Sequence, residues 1–164
     1  MKSVIRKLAV SALLALAAGA AAAGEVIVNY IQPDGFSDIP SGGEREQTLR
    51  DLTAHFVKLG AKLPPGQNLR IDVLNIDMAG SERPSGARTD MRVTTRGAWP
   101  SMDLHYTLEA NGQVLSSGDA QLRDTAFLDR PNRYFNHDAL RYEKRMVDSW
   151  FEKTILSGEH TVGR

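Results

Sequence analysis

The chain contains no cysteine. That excludes a thiol nucleophile, a lipid-modified cysteine and any disulfide, so a fold working outside the reducing cytoplasm must be held by burial of apolar surface. There is no surplus of positive charge either: 20 lysines and arginines stand against 20 aspartates and glutamates, with no lysine and arginine block. Nucleic acids and anionic membranes are gripped by concentrated basic surface, so neither is an expected partner. Histidine is scarce. His55, His105, His137 and His160 lie far apart, and none has the H-x-x-x-H or H-E-x-x-H spacing that sets two imidazoles on one metal. A G-x-S-x-G nucleophile elbow is also missing. No metal, cofactor or catalytic residue is therefore expected.

Among the things present, the amino terminus stands out. A basic stretch with Lys2, Arg6 and Lys7 is followed by an apolar run from Leu8 to Ala18 and then by small residues, which is the pattern of a secretory signal peptide. Ala21 and Ala23 stand in the A-x-A relation that signal peptidase grips, placing the cut before Gly24. The leucine-rich part is shorter than the roughly 20 apolar residues of a spanning helix, so cleavage is expected in place of a stable membrane anchor. Loss of residues 1–23 removes three basic groups and no acids, leaving 17 against 20 and a net charge of −3. The expected product, 24–164, is long enough for a single domain with its own core. Its expected location is the periplasm, without a lipid anchor.

Along that product, Glu25 to Ile31 is rich in β-branched residues and ends at Pro33-Asp34-Gly35, which reads as a strand with Phe36 available to cover it. From Glu44 to Leu63, Leu49, Leu52, Phe56, Leu59 and Leu63 recur at helical spacing, and Pro64 and Pro65 end the run, with Gly60 an earlier stop. Asn68 to Met78 reads as a strand whose apolar phase switches at Val73 and Leu74, so a β-bulge is expected there. Ala79 to Asp90 has the composition of an exposed loop, and Met91 to Thr95 that of a short strand. Met102 to Leu122 reads as a hairpin. A three-residue loop Ala110-Asn111-Gly112, with Gly112 left-handed, would set Leu108 against Val114, Tyr106 against Ser116 and Leu104 against Gly118. A last helix is expected from Asp138 to Leu156, with Asp138 as cap and Leu140, Val147, Phe151 and Ile155 facing inward. The tail 157–164 has little to order it. The implied class is α+β: a mostly antiparallel sheet of about four to five strands with two main helices packed against it, in the order β-α-β-β-β-β-α.

The blocks Leu63-Pro64-Pro65-Gly66-Gln67, Ile76-Asp77-Met78-Ala79-Gly80, Leu122-Arg123-Asp124, Asn132-Arg133-Tyr134 and Leu140-Arg141-Tyr142-Glu143-Lys144 follow one another in an order that resembles the proteobacterial domain-of-unknown-function family 3016. The resemblance implies a secreted, periplasmic protein and supplies no activity.

The most polar region runs from Arg123 to Arg145, where Arg123, Arg130, Arg133, Arg141 and Arg145 interleave with Phe127, Tyr134, Phe135 and Tyr142. Guanidinium groups beside aromatic rings can hold a carboxylate, a phosphate or an acidic peptide. Asp77, Arg123, Arg133, Tyr134, Arg141 and Tyr142 are accordingly the candidate binding residues. The competing reading pairs these arginines internally with Asp124, Asp129, Asp138 and Glu143. Asp72 and Asp77, five apart across the expected bulge, have no fixed relative facing. The expected function is a non-catalytic envelope module that binds an envelope protein or cell-wall component. Its rival is a small hydrolase or ligand-binding protein with a pocket between helix and sheet.

Overall fold

A computed structural model describes residues 24–85 and 88–158. The expected signal peptide lies outside the described residues, as do 86, 87 and 159–164. Strand β1 (Val26–Tyr30) leads into helix α1 (Gly42–Gly60) and then strand β2 (Gln67–Asp77). The two strands run parallel, from Val26 beside Leu69 to Tyr30 beside Val73. Parallel neighbours need a long connection, and α1 provides it. Its stripe buries Leu52, Phe56 and Leu59 while Leu49 packs at the margin, and Glu44 and Lys58 sit at the ends that favour their charges. The helix stops at Gly60, where a Cβ would come within 2.3 Å of Val26 Cγ2, so the glycine lets β1 cross close to the helix end.

Two further strands, β5 (Ser101–Ala110) and β6 (Gln113–Arg123), complete a four-stranded sheet in the order β1-β2-β5-β6, antiparallel except at β1. The β2 bulge falls between Val73 and Asn75 and leaves Leu74 exposed, so Leu69, Ile71, Val73 and Ile76 all reach the core. The β5–β6 register corrects the expected one. Asn111 (φ 53°) and Gly112 (φ 77°) form a two-residue turn with both residues left-handed, closed by Ala110 and Gln113. A bulge at Leu115 then shifts the ladder, so Leu108 faces Ser116, Tyr106 faces Gly118, Leu104 faces Ala120 and Met102 faces Leu122. Turn and bulge together keep the inward face apolar or small.

The segment expected to be a loop also differs. Strands β3 (Ser81–Ser85) and β4 (Arg88–Val93) pair antiparallel as a separate two-stranded ribbon, with β4 starting three residues before the expected strand. β3 shows no apolar alternation and β4 only Met91 and Val93 at its end, so the strand from Met91 was legible while its earlier start and its pairing were not. Helix α2 (Arg141–Trp150) continues into a π-helical turn, Phe151–Leu156. Asp138 accepts from the Leu140 backbone N–H at 2.9 Å, which caps the turn before α2 instead of the helix itself. Both helices lie on one face of the sheet, where Phe56, Val147 and Phe151 meet Ile71, Val73 and Leu104 in a single core. The opposite face carries Asn29, Arg70, Asp72, Asp103, His105, Ser117 and Asp119, the alternation of an antiparallel sheet with one side in water. No helix among the described residues is long and apolar enough to cross a membrane.

Candidate functional site

Helix α2 carries polar side chains that meet α1, the segment 124–140 and the turn at Ala79, and these build three clusters. The first centres on Asp148, which is 4% exposed. Its Oδ1 lies 2.9 Å from His55 Nε2 on α1, its Oδ2 accepts from the Tyr134 hydroxyl at 2.6 Å, and Arg133 forms an ion pair with the same oxygen. An ionised carboxylate only accepts, so His55 presents Nε2–H to it. Burial would raise the carboxyl pKa, but the bonds from His55, Tyr134 and Arg133 together hold it below the ordinary carboxylate value. Tyr134 is pushed up to about 12, first by burial and then by its bond to the carboxylate, against the opposing pull of Arg133. Its phenol therefore stays protonated near neutral pH and acts as a donor. The cluster fixes the loop to both helices.

The second cluster surrounds Arg145. One guanidinium nitrogen donates to Asp124 Oδ2 and the Phe127 carbonyl, both at 2.7 Å, and the other to the carbonyls of Arg130 and Pro131 at 2.8 and 3.1 Å. Arg130 reaches the other Asp124 oxygen at 3.9 Å. Tyr142 packs edge-on against Phe127 at 4.8 Å, with the Arg141 and Arg145 guanidinium groups 5.0 and 5.9 Å from its ring centre. Arg141 also donates to Asn136. Backbone carbonyls of an irregular segment have no ladder to satisfy them, and Arg145 supplies the donors.

The third cluster joins the Ile76-Asp77-Met78-Ala79-Gly80 block to α2. Arg92 grips Asp38 with two nitrogens at 2.9 and 3.0 Å and donates to the Gly80 carbonyl at 3.1 Å. Glu143, 1% exposed, accepts from the Ala79 N–H at 2.7 Å, while its Oε2 has no hydrogen-bond partner among the described residues. Burial pushes the Glu143 carboxyl up against the pull of the Ala79 N–H and Arg92. Asp77 is likewise raised by burial and by Asp38 beside it, with Arg92 opposing. Asp72 shares the outward face with Asp77 but has other partners, Asn29 at 2.6 Å and Arg70 at 3.4 Å.

The six sequence candidates are thus not one site. Arg133 and Tyr134 join Asp148, Arg141 and Tyr142 belong to the Arg145 cluster, and Asp77 lies near Arg92. Arg123 stands at the end of β6, its side chain exposed and with no hydrogen-bond, ion-pair or ring partner among the described residues. Sequence reasoning missed His55, Asp148, Arg92 and Asp38. A signal for the first two exists: His55 interrupts the stripe Leu52, Phe56, Leu59, and Asp148 adjoins Val147. Polar groups on apolar stripes must satisfy one another once buried.

Across β5 and β6, Ser117 Oγ lies 3.3 Å from His105 Nε2, and His105 Nδ1 lies 2.6 Å from Asp119 Oδ1. The order is that of a hydrolase triad, but Ser117 donates to the Tyr106 carbonyl at 3.0 Å and the Asp119 side chain is 82% exposed. A working triad needs a buried carboxylate and aimed oxyanion donors, which this open strand surface does not assemble. No group of three histidine, aspartate or glutamate side chains among the described residues is placed to hold a metal ion.

A family model described as a protein of unknown function, DUF3016, matches residues 24–153, and the chain belongs to that family. No curated protein matches it. A crystal structure of a Xanthomonas campestris protein from family DUF330 is 13% identical, covering 85% of this chain and 87% of that one with a TM-score of 0.35.

Proposed function

We propose that this member of the DUF3016 family is a non-catalytic binding module exported to the cell envelope, and that it holds its partner at the free β6 edge of the sheet. The carrying observation is the fate of the five arginines between 123 and 145: Arg130, Arg133, Arg141 and Arg145 are engaged within the fold, while Arg123 on the edge strand has no side-chain partner among the described residues. An edge strand offers unpaired backbone N–H and C=O groups that a partner strand can complete, and a cation beside them selects an acid. The basic, apolar and small-residue succession of 1–23 supports export, and the lack of cysteine excludes lipid attachment at the cut. The expected partner is a protein of the envelope, a further copy of this chain included, with a cell-wall component as the other outcome. An affinity pull-down from intact cells tests this. A partner retained by the native chain and lost from Arg123→Asp supports the reading, and equal retention by both sinks it.

A second reading has its own observation, the buried Glu143 Oε2, without a hydrogen-bond partner among the described residues and near the Arg92 cation. Perturbed carboxyls gather at functional sites, which favours a small hydrolase or ligand-binding protein using Asp77 and Glu143. Turnover of a substrate panel that is lost in Glu143→Gln and kept in Arg123→Asp would replace the binding-module reading.

A further inference from the structure

We infer that the occupant of the β6 edge is a second copy of this chain, paired antiparallel across a two-fold axis at Gln121 so that Asp119 of each copy meets Arg123 of the other. The inference rests on the reading of β6 as the binding surface. Among the described residues the sheet ends on β6, so the outer backbone groups of this strand have no strand partner there. Its eleven residues, QVLSSGDAQLR, contain neither the lysine nor the proline that commonly blunts an edge.

A two-fold axis perpendicular to the sheet reverses the strand and keeps both helical layers on the same side, so each residue meets one from the same face. The registers then differ in charge. Centred on Asp119, the pairing sets that carboxylate against its own copy, which is destabilising. Centred on Ala120, it sets Arg123 against Ser117 and leaves both charges unmatched. Centred on Gln121, it sets Asp119 opposite Arg123 twice. The same register sets Ala120 opposite Leu122 on the inward side, extending the apolar face across the junction. Arg123 has no side-chain partner among the described residues, and Asp119, 82% exposed, gives only Oδ1 to His105, which leaves its second oxygen for the Arg123 guanidinium. The product is one sheet made of two four-stranded halves.

The chain has no cysteine, so a single introduced cysteine forms a disulfide only with another copy. Opposed residues of antiparallel strands have Cα atoms about 4.5–5.5 Å apart, within disulfide reach. Gln121→Cys should cross-link under mild oxidation and Ser117→Cys should not. Light scattering of the purified native protein should give twice the monomer mass. Asp119→Arg or Arg123→Asp alone should weaken the dimer about tenfold or more, and the double exchange should restore it. A native chain that stays monomeric at high micromolar concentration, or cross-linking at 117 in place of 121, overturns the inference. Circular dichroism of each variant separates lost pairing from lost folding. The edge reading fails separately, when the pull-down partner is indifferent to Arg123→Asp.

Discussion

Asp148 and Glu143 are two buried carboxyls on one helix with opposite titration behaviour. Asp148 is held by His55, Tyr134 and Arg133 and its pKa is lowered, so its contribution to stability is fully present above the ordinary value of 3.8 and is lost as pH falls through the folded value. Glu143 has a raised folded pKa, so the folded state binds the proton more tightly, and stability falls as pH rises from 4.5 through the folded value. Asp148→Asn should cost about 2–4 kcal/mol at neutral pH, with the difference shrinking in acid. Glu143→Gln should flatten the decline above pH 4.5. Urea titrations at a series of pH values check both, and a decline unchanged in Glu143→Gln would assign it elsewhere. Proximity in sequence identified internal pairing as an alternative for the arginines, but of the four acids expected to hold them only Asp124 does: Asp129 pairs with Arg96, Asp138 with Lys144, and Glu143 turns inward. A helix sends 143 to the inward side, where the available donor is the Ala79 N–H from a distant turn.

At the level of elements, apolar spacing revealed α1 and the β2 bulge, while β-branched composition and the Pro33-Asp34-Gly35 turn revealed β1. The hairpin register moved by two residues, one from the shorter turn and one from the Leu115 bulge, since several pairings leave small or apolar groups inward and only the turn backbone chooses among them. A Cβ at Gly112 would meet nothing within 4 Å, so Gly112→Val should act through backbone conformation alone, costing about 1–2 kcal/mol by thermal unfolding. Unchanged stability would contradict a left-handed residue there. Arg145→Ala removes the donors to Asp124 and to the carbonyls of Phe127, Arg130 and Pro131. Amide exchange across 124–131 should accelerate markedly while β2 and β5 remain protected. Uniform acceleration would mean that this arginine supports the whole core.

For the whole molecule, the α+β class was legible because helices and strands announce themselves by period, whereas β3 and the first half of β4 were not, lacking apolar alternation. Both helices share one core with the sheet, so unfolding should be a single transition. Trp150 sits against Phe56, Tyr106 and Phe151, while Trp99 is 41% exposed. In Trp99→Phe, fluorescence therefore reports on the core alone, and its urea midpoint should coincide with that of the helical circular dichroism. Separated midpoints would divide the core into two units. The parallel pairing of β1 with β2 adds a consequence in time. Asn29 meets Asp72 across 43 positions, with all of α1 between them. A chain emerging amino end first presents β1 long before its partner exists, and distant pairing is slow because the loop must close first. The earliest strand to appear is thus among the last to be secured, and only five residues wait unpaired.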